Sequence, residues 1–497
     1  MRKRFEQQIP LGGLAIGELK INLKSRHELP PILLALQYVF TTPELNEEIF
    51  TILEAKVLKG KAVTGRQGMS LWEILVFGVV KLGLNIDYDF LHDLANNHEE
   101  LRGILGQGRT DFKPGKEYHY QTLKDNVCLL DEETIQQINT IIVKGAHGLI
   151  KKKEEMEVLN LAIKSDSFVV ESDIHFPTDL NLLWDCGRKC LDTIRNLQRL
   201  EVRPSGWRQL QKRYNKLRRL YRIVSEIHRK KGAKYRSRLV EATKAYLCYA
   251  RFLAKELAVV FEACYHYIAE GNQSIPVVKG IKELRYYEQY LNQHIDLVHR
   301  RIILGEQIPH SEKVFSIFEP HVEWNSKGKA GKLVELGHNV LVASDQYHFI
   351  LYHEVYEQQV DKTRTIAIGR GIAKYYGVAG YHLESISFDR SFFSFPAKKE
   401  LSKIYDHVIL PKPGKKSVAT QQEESAEDYV NRAKKHSTVE ANINQLERHG
   451  LGICRDKGID GFKRCVAYGI LSYNLHRMGN ILRAMRQQKK PKQRLAA

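Results

Sequence analysis

The chain has 497 residues, which is too long for one ordinary domain and predicts about two to four. Its 77 Lys and Arg residues against 58 Asp and Glu residues give a formal net charge of +19, an excess typical of proteins that meet a polyanion. The seven cysteines form no CxxC pair, the N-terminus lacks a signal peptide's apolar core, and the apolar runs are too short for a bilayer. We therefore expect a soluble, cytoplasmic protein with no membrane partner, zinc site or disulfide framework.

The first half of the chain changes its pattern twice. Residues 1–155 carry apolar residues at helical spacing and predict a helical N-terminal domain, whose short helices and tight turns make it a candidate DNA-binding domain. Residues 156–186 contain "LAIKSDSFVV", a β-rich run that predicts a buried strand. Residues 187–308 return to a helical pattern and predict a strongly basic insertion.

The basic insertion contains candidate contacts to a phosphate backbone. Lys212, Lys216 and Arg219 fall at i, i+4 and i+7 and share a helix face, and Arg222 follows on the same helix. The alternative is a solvated helix face with no partner. Trp207 could stack on a base, but a tryptophan on a helix face is more often a core residue.

The second half predicts a sheet with crossover helices. Residues 309–480 contain two strands joined by a turn at Asp345-Gln346, then a strand, a helix with Pro396 in its first turn, and another strand. Residues 421–435 are polar and predict a mobile loop, and 481–497 predict a basic C-terminal tail. Without the insertion, the element order is that of an RNase H-like core. We predict an α/β fold in which an RNase H-like mixed sheet is flanked by helices, interrupted by the insertion and preceded by an all-α domain.

Three acids match the positions that such a core uses for chemistry. Phosphodiester hydrolysis or transfer commonly needs two divalent cations, and Mg²⁺ prefers carboxylates and water. Asp166 lies inside the first predicted strand, Asp389 directly follows the predicted strand "HLESISF", and Glu440 lies on a late predicted helix. We predict that Asp166, Asp389 and Glu440 are the catalytic and metal-binding residues, with Mg²⁺ as cofactor and Mn²⁺ as its substitute.

Two of these positions have alternatives. Asp173 follows Asp166 by an odd number of residues, so strand alternation places it on the opposite face and makes it a rival for the first position. Glu447, two helical turns after Glu440, is the alternative third acid. The sequence "STVE" also matches a capping box, with Ser437 as N-cap and Glu440 as its acidic member.

Other polar residues nearby have ordinary explanations. Asp179 follows "HFPT" in a turn context, and Asp185 stands beside Trp184 at a predicted helix start, so both are expected to be surface or capping residues. His436 could contact phosphate or orient a water, although a structural role is the stronger interpretation. Neither GxxxxGK[ST] nor GxGxxG occurs between a strand and a helix, so ATP and NAD chemistry are not predicted.

Several long segments, in the same order along nearly the whole chain, resemble the bacterial insertion-sequence transposases grouped as ISNCY, which belong to the DDE transposases with an RNase H-like core. The segments are "DSFVVESDIHFPTDLNLLWD", "IPHSEKVFSIFEPHVEW", "SFDRSFFS" and "HSTVEANINQLERHGL". The resemblance implies Mg²⁺-dependent cleavage and strand transfer at transposon ends, with Asp166, Asp389 and Glu440 as the three acids by position. It also implies double-stranded DNA as partner, both terminal inverted repeats and target, and a nucleoid-associated homodimer or higher oligomer on that DNA.

The chain departs from related patterns at two places. After the second acid the family usually has Lys or Arg, then Gly and Phe, whereas this chain has Arg390-Ser391-Phe392, which predicts a reshaped loop. Transposases that use a hairpin intermediate carry Tyr, Arg and Lys around the glutamate. Those places here hold Ala433, His436 and Glu447, so the hairpin route is not predicted.

Two further functions compete with a transposase. One is a catalytically inactive or domesticated DNA-binding protein derived from a transposase. The other is a stand-alone metal nuclease, which would share the acids but lack specificity for the ends of an element.

Overall fold

The structure, a computed structural model, describes residues 2–8, 13–60, 67–109, 115–230, 232–272, 275–326 and 333–488. The chain divides into two units. The first combines Met1–Asp173 with Glu323–Ala497, and the second is formed by Ile174–Val322. The predicted insertion lies inside the second unit, whereas the predicted N-terminal helical domain belongs to the same unit as the sheet.

The N-terminal region of the first unit is helical, as its apolar spacing predicts. Its helices are α1 (Leu29–Thr41), α2 (Pro43–Val57), α3 (Leu71–Gly83), α4 (Tyr88–Asn97), α5 (Glu99–Ile104), α6 (Tyr120–Val127) and α7 (Glu132–Glu154). Helix α3 begins with a capping box, in which the Ser70 side chain accepts a hydrogen bond from the N–H of Glu73 and the Glu73 carboxylate accepts one from the N–H of Ser70. Its whole length is buried, so this helix is a core element of the unit.

The second unit is built from long amphipathic helices. They are α8 (Asp179–Arg199), α9 (Leu210–His228), α10 (Ala233–Ala269) and α11 (Ile275–Val298). These helices bury their own apolar cluster, which includes Trp207 and Tyr246. A separate core of this size allows the unit to be stable without disulfides.

Within the described residues, seven strands form one mixed sheet in the first unit. They are β1 (Leu159–Ser172), β2 (Glu323–Ser326), β3 (Val334–Ser344), β4 (Ile350–Val355), β5 (Tyr381–Phe388), β6 (His407–Ile409) and β7 (Ile453–Cys454). The predicted α/β class, with a mixed sheet and a helical N-terminal region, is confirmed.

Strand β1 lies at the centre of the sheet. It pairs antiparallel with β3 and parallel with β5, which in turn pairs parallel with β6. Strand β3 also pairs antiparallel with β2 and β4, and β7 pairs parallel with the end of β1. The carboxyl ends of β1, β5 and β6 therefore share one edge, the edge at which open α/β sheets bind their ligands.

The helices that follow the first hairpin surround this sheet. They are α12 (Asp361–Tyr376), α13 (Phe395–Leu401), α14 (Val418–Ser425), α15 (Glu427–His436), α16 (Thr438–Leu446) and α17 (Gly458–Gln488). Helix α13 lies between β5 and β6 with Pro396 in its first turn, as predicted. The prediction of a mobile loop at 421–435 is wrong, because these residues belong to α14 and α15. Ion pairs such as Arg432–Glu384, 2.7 Å, help to hold these charged helices.

Helix α17 joins the N-terminal helices to the sheet. Ser472 Oγ donates a hydrogen bond to the carbonyl of Val79 in α3 at 2.8 Å. Asn474 Nδ2 donates to Oδ1 of Asn139 in α7 at 2.7 Å and to the carbonyl of Ile350 in β4 at 2.9 Å. The helix continues to Gln488, so the first part of the predicted tail 481–497 is helical and 489–497 lie outside the described residues.

No helix in the described ranges combines the length and apolar character that crossing a membrane would require.

The close crossing of α17 and α1 provides a test of this packing. A Cβ added at Gly479 would lie 1.9 Å from the backbone carbonyl oxygen of Pro31, which cannot rotate away. We expect Gly479→Ala to lower the free energy of unfolding by about 1–3 kcal/mol, seen as a lower thermal midpoint. Gly148→Ala is the matched control, since nothing lies within 4 Å of a Cβ at this α7 position, and it should raise stability by about 0.5–1 kcal/mol. Equal stability of the two variants would contradict this packing.

Candidate active site

Two of the predicted acids meet because of the register of two parallel strands. Ser165 of β1 is the strand partner of Phe388 of β5, and Asp166 and Asp389 are the next residues along each segment. Since adjacent strands lie about 4.8 Å apart, the two aspartates stand side by side where β5 ends. Asp166 is half-buried and Asp389 is exposed.

Glu440 is positioned by two hydrogen bonds at the junction of α15 and α16. Lys164 of β1 donates from Nζ to Oγ1 of Thr438 at 2.7 Å. Ser387, the strand partner of Lys164 in β5, lies with its Oγ 3.0 Å from Nδ1 of His436. We call these two contacts the α16 clasp. They fix the start of α16 on the strand pair that carries the aspartates, and Glu440 follows in the first turn of the helix.

A buried amide holds the middle of the same helix. Asn442 donates from Nδ2 to Oγ of Ser344, at the end of β3, at 2.9 Å. Its Oδ1 lies 2.9 Å from Nδ1 of His348 and accepts a hydrogen bond from the Tyr473 hydroxyl at 3.4 Å. Because Asn442 is buried, these contacts restrict the rotation of α16 and leave Glu440 on its exposed side.

Within the described residues, the three carboxylates have no neutralising cation, since no salt bridge there involves Asp166, Asp389 or Glu440. The only hydrogen bond that the described residues make to these carboxylates is donated by the backbone N–H of Ser167 to Oδ1 of Asp166, at 2.7 Å. These acids therefore stay unpaired within the described part of a chain whose net charge is +19.

The pKa of Asp166 records the proximity of the other acids. Burial is the largest cause that raises this pKa to about 6, and the carboxylates of Asp389, Asp361 and Glu440 raise it further against the hydrogen bond from Ser167. Like charges that lie close together disfavour ionisation. The predicted acids are therefore brought together, and a fourth carboxylate, Asp361, lies near them.

Asp361 and its contact to the loop after Asp389 were missed by the sequence analysis. Asp361 begins α12, and its Oδ2 accepts a hydrogen bond from Oγ of Ser391 at 2.8 Å. The loop forms a 3-10 turn, Arg390–Phe392, in which Thr365 Oγ1 donates to the Phe392 carbonyl at 2.9 Å. Ser391 thus attaches the loop to α12. An aspartate in the first turn of a helix is common, so no sequence signal marks this one.

The alternative acids lie apart from this group. Asp173 is exposed beyond the end of β1, where its N–H donates to the carbonyl of Cys454 at 3.0 Å. Glu447 is exposed in a π-helical turn, Glu447–Leu451. Neither is among the groups that shift the pKa of Asp166. The predicted capping box is wrong, because Ser437 Oγ donates instead to the carbonyl of Lys434 at 2.9 Å and leaves Glu440 without that role.

The two remaining aspartates of the first segment have partners within the second unit. Asp179 is the first residue of α8 and pairs with Arg301 at 2.8 Å. The prediction that Asp185 lies at a helix start is wrong, because this residue lies inside α8. There it is buried and pairs with Arg188 at 3.0 Å and His175 at 3.3 Å. Both acids are therefore neutralised by structural contacts.

A basic cavity lies beside the α16 clasp. It has a volume of about 290 Å³, and Lys164, Ser387 and Lys435 are among its lining residues. Burial lowers the pKa of Lys164, and burial also lowers that of His436, against the nearby charge of Asp389. His436 therefore has a structural contact, as predicted. The cations around the cavity could contact a phosphate backbone.

The predicted DNA-binding residues lie on the surface of the second unit. Lys212, Lys216, Arg219 and Arg222 are all exposed on α9, a helix with six basic residues and one acidic residue. Trp207 is fully buried, so it is a core residue and is not available to stack on a base.

No group of three or more His, Cys, Asp or Glu side chains in the described ranges is close enough to hold one metal ion. Comparison of the chain with protein-family models, with curated proteins and with solved structures finds no match. The resemblance to ISNCY transposases therefore stays a prediction.

The raised pKa of Asp166 predicts a stability change. An acid whose pKa is higher in the folded state, here about 6 against an ordinary 3.8, stabilises the fold below pH 4, and this contribution is lost as the pH rises towards 6. We expect Asp166→Asn to remove the repulsion and raise stability at about pH 8 by about 1–2 kcal/mol, allowing for the side chain's partial exposure. The gain should largely disappear at about pH 4.

Thermal unfolding at the two pH values measures this difference. Asp173→Asn is the control, because its exposed side chain lies apart from the acids and its substitution should change the midpoint little. A variant Asp166→Asn that is less stable than the wild type at about pH 8 would contradict the electrostatic account.

Proposed function

We propose that the chain is a DDE transposase that cleaves DNA at the ends of an insertion sequence and joins the freed 3′-OH to target DNA. The observation that carries this proposal is the group formed by Asp166, Asp389 and Glu440. These acids come from a central strand, from the end of its parallel neighbour and from a late helix, and no salt bridge in the described residues neutralises them.

The topology supports an RNase H-like core. A central strand flanked on one side by antiparallel strands and on the other by two parallel strands matches the arrangement expected for that core. The acids follow the order strand, strand end and helix that the motif requires. The basic second unit is inserted between β1 and β2, which explains the long interval between the first two acids.

The donor set fits Mg²⁺. Carboxylates suit hard divalent cations such as Mg²⁺, and Asp166, Asp389 and Glu440 would share two such ions rather than surround one. Mg²⁺ is commonly bound by only one or two carboxylates together with water and substrate phosphate, so the absence of a group of three around one ion in the described residues is compatible with this assignment. Bound there, Mg²⁺ would polarise the phosphoryl oxygen and lower the pKa of the attacking hydroxyl.

The reaction consists of two phosphoryl transfers. In the first, a water oxygen attacks a phosphodiester at the end of the element, the P–O3′ bond breaks, and the leaving oxygen takes a proton to become a 3′-OH. In the second, this 3′-OH attacks a target phosphodiester, a new P–O bond forms and a target 3′-OH leaves. The α16 clasp positions Glu440 for these steps, and the Asp361–Ser391 contact holds the loop of Asp389.

Double-stranded DNA is the proposed substrate, bound by the exposed cations of α9 and by Lys164 and Lys435 beside the acids. A homodimer or higher oligomer on the DNA would bring two ends together, as the resemblance implies. The alternative is a DNA-binding protein without catalysis, and the observation that favours it is that no three metal-binding side chains in the described residues converge on one position.

Cleavage of labelled DNA tests the proposal. The probe is a duplex carrying the DNA that flanks this gene, incubated with Mg²⁺ or Mn²⁺ and with a supercoiled plasmid as target. We expect Asp166→Asn, Asp389→Asn and Glu440→Gln each to lower the cleavage rate by about 10²–10³-fold, because each removes a charge needed at the reacting phosphate. DNA binding should persist in all three variants.

The matched controls are Asp173→Asn and Glu447→Gln, which should cleave at the wild-type rate because both side chains lie apart from the group. Loss of cleavage in Asp173→Asn but not in Asp166→Asn would show that the first acid is misassigned. Binding without any cleavage would support the noncatalytic alternative, and cleavage without joining to the plasmid or preference for the flanks would indicate a nuclease.

A further inference from the structure

The surface of the second unit contains a basic depression between α9 and α10. It has a volume of about 420 Å³, and its lining residues are Gly206, Arg208, Gln209, Lys212, Arg213, Lys216, Tyr249 and Phe252. A volume of this size is within the range of pockets that bind small ligands. The depression thus combines cations of α9 with aromatic rings of α10.

The aromatic part of the depression is a fixed and partly open platform. The Tyr249 and Phe252 rings stack with centroids 5.9 Å apart and an interplanar angle of 24°. The Tyr249 hydroxyl donates a hydrogen bond to the carbonyl of Arg213 at 3.2 Å, which fixes this ring on α9. Phe252 is 45% exposed, so part of its ring is accessible from solvent.

The cations have two different roles around these rings. The Arg213 guanidinium lies 5.3 Å from the Phe252 ring centroid and pairs with Glu256 at 3.4 Å, so its charge is already partly neutralised. Lys216 Nζ lies 4.5 Å from the Tyr249 centroid. Within the described residues, Arg208, Lys212 and Lys216 form no salt bridge, and Arg208 and Lys212 are exposed. These three cations are free to contact an anion.

We propose that this depression binds an unpaired nucleotide of DNA, with the base stacked against the exposed part of the Phe252 ring and the adjoining phosphates beside Arg208, Lys212 and Lys216. Stacking needs an accessible base face, and in an intact duplex both faces of each base are covered by its neighbours. An aromatic platform among cations therefore favours a strand with an unpaired base. The inference rests on the proposed function because it takes DNA as the partner.

A binding experiment with three forms of one DNA tests the inference. The full-length chain is titrated, in EDTA to prevent cleavage, against a blunt duplex, a duplex with a short single-stranded overhang, and the overhang strand alone. A 2-aminopurine in the overhang reports stacking by fluorescence quenching. The variants are Phe252→Ala, the double change Lys212→Ala with Lys216→Ala, and Tyr265→Ala as the matched control, an exposed aromatic of α10 outside the depression.

We expect the wild type to bind the overhang duplex more tightly than the blunt duplex and to quench 2-aminopurine. Phe252→Ala should weaken binding of the overhang and single-stranded forms by about fivefold or more and abolish the quenching, with little effect on the blunt duplex. The double lysine variant should weaken binding of all three forms and reduce the salt slope by about two. Tyr265→Ala should behave as the wild type.

Three results would overturn the inference. One is that Phe252→Ala leaves all affinities and the quenching unchanged. Another is that it weakens the three forms equally. The third is that it changes the oligomeric state, which would assign the exposed ring to a protein contact. A failure to bind any DNA would instead refute the proposed function, whereas tight duplex binding without an effect of Phe252 would refute only the inference.

Discussion

The hydrogen bonds of the α16 clasp are the contacts on which the candidate site depends. Strand register alone places Asp166 beside Asp389, but no such rule positions an acid on a helix that comes after two further helices. Lys164 and Ser387 are strand partners, and together they bind the turn that starts α16. The same strand pair therefore supplies two acids at its end and the anchor for Glu440 below them. Because one strand pair has both roles, the site is sensitive to any shift in the register of β1 and β5.

Electrostatic repulsion explains why a group of acids without cationic partners is unusual in a folded protein. The buried acids Asp185 and Asp179, by contrast, have cationic partners. At the candidate site burial and like charges raise the pKa of Asp166 to about 6, so the ionised group opposes folding. A divalent cation would convert this repulsion into attraction. The arrangement is thus unfavourable for stability unless a cation binds it.

The sequence predicted the elements whose patterns are local. The strand around Asp166 and the strand that ends before Asp389 are confirmed, because runs of strand-forming residues mark both segments. The helices over 421–435 were missed, because their residues are mostly polar and charged and ion pairs help to hold them. The bond between Lys164 and Thr438 joins residues far apart in the chain, and no single-sequence pattern reports such a contact. Residue types and order were therefore predictable, whereas the anchors that bring the acids together were not.

The two units of the chain are interleaved along the sequence, but they have different roles in the proposed function. The second unit departs after β1 and returns at β2, so both of its ends join the sheet that carries the candidate acids, yet its apolar core is its own. A unit with its own core can change its surface charge without altering the packing of the sheet. The exposed cations of α9 and the open Phe252 are such surface features, and they contribute nothing to the core of either unit. Under the proposed function, recognition of DNA and chemistry on DNA belong to different units, and substitutions in one unit should leave the other property intact.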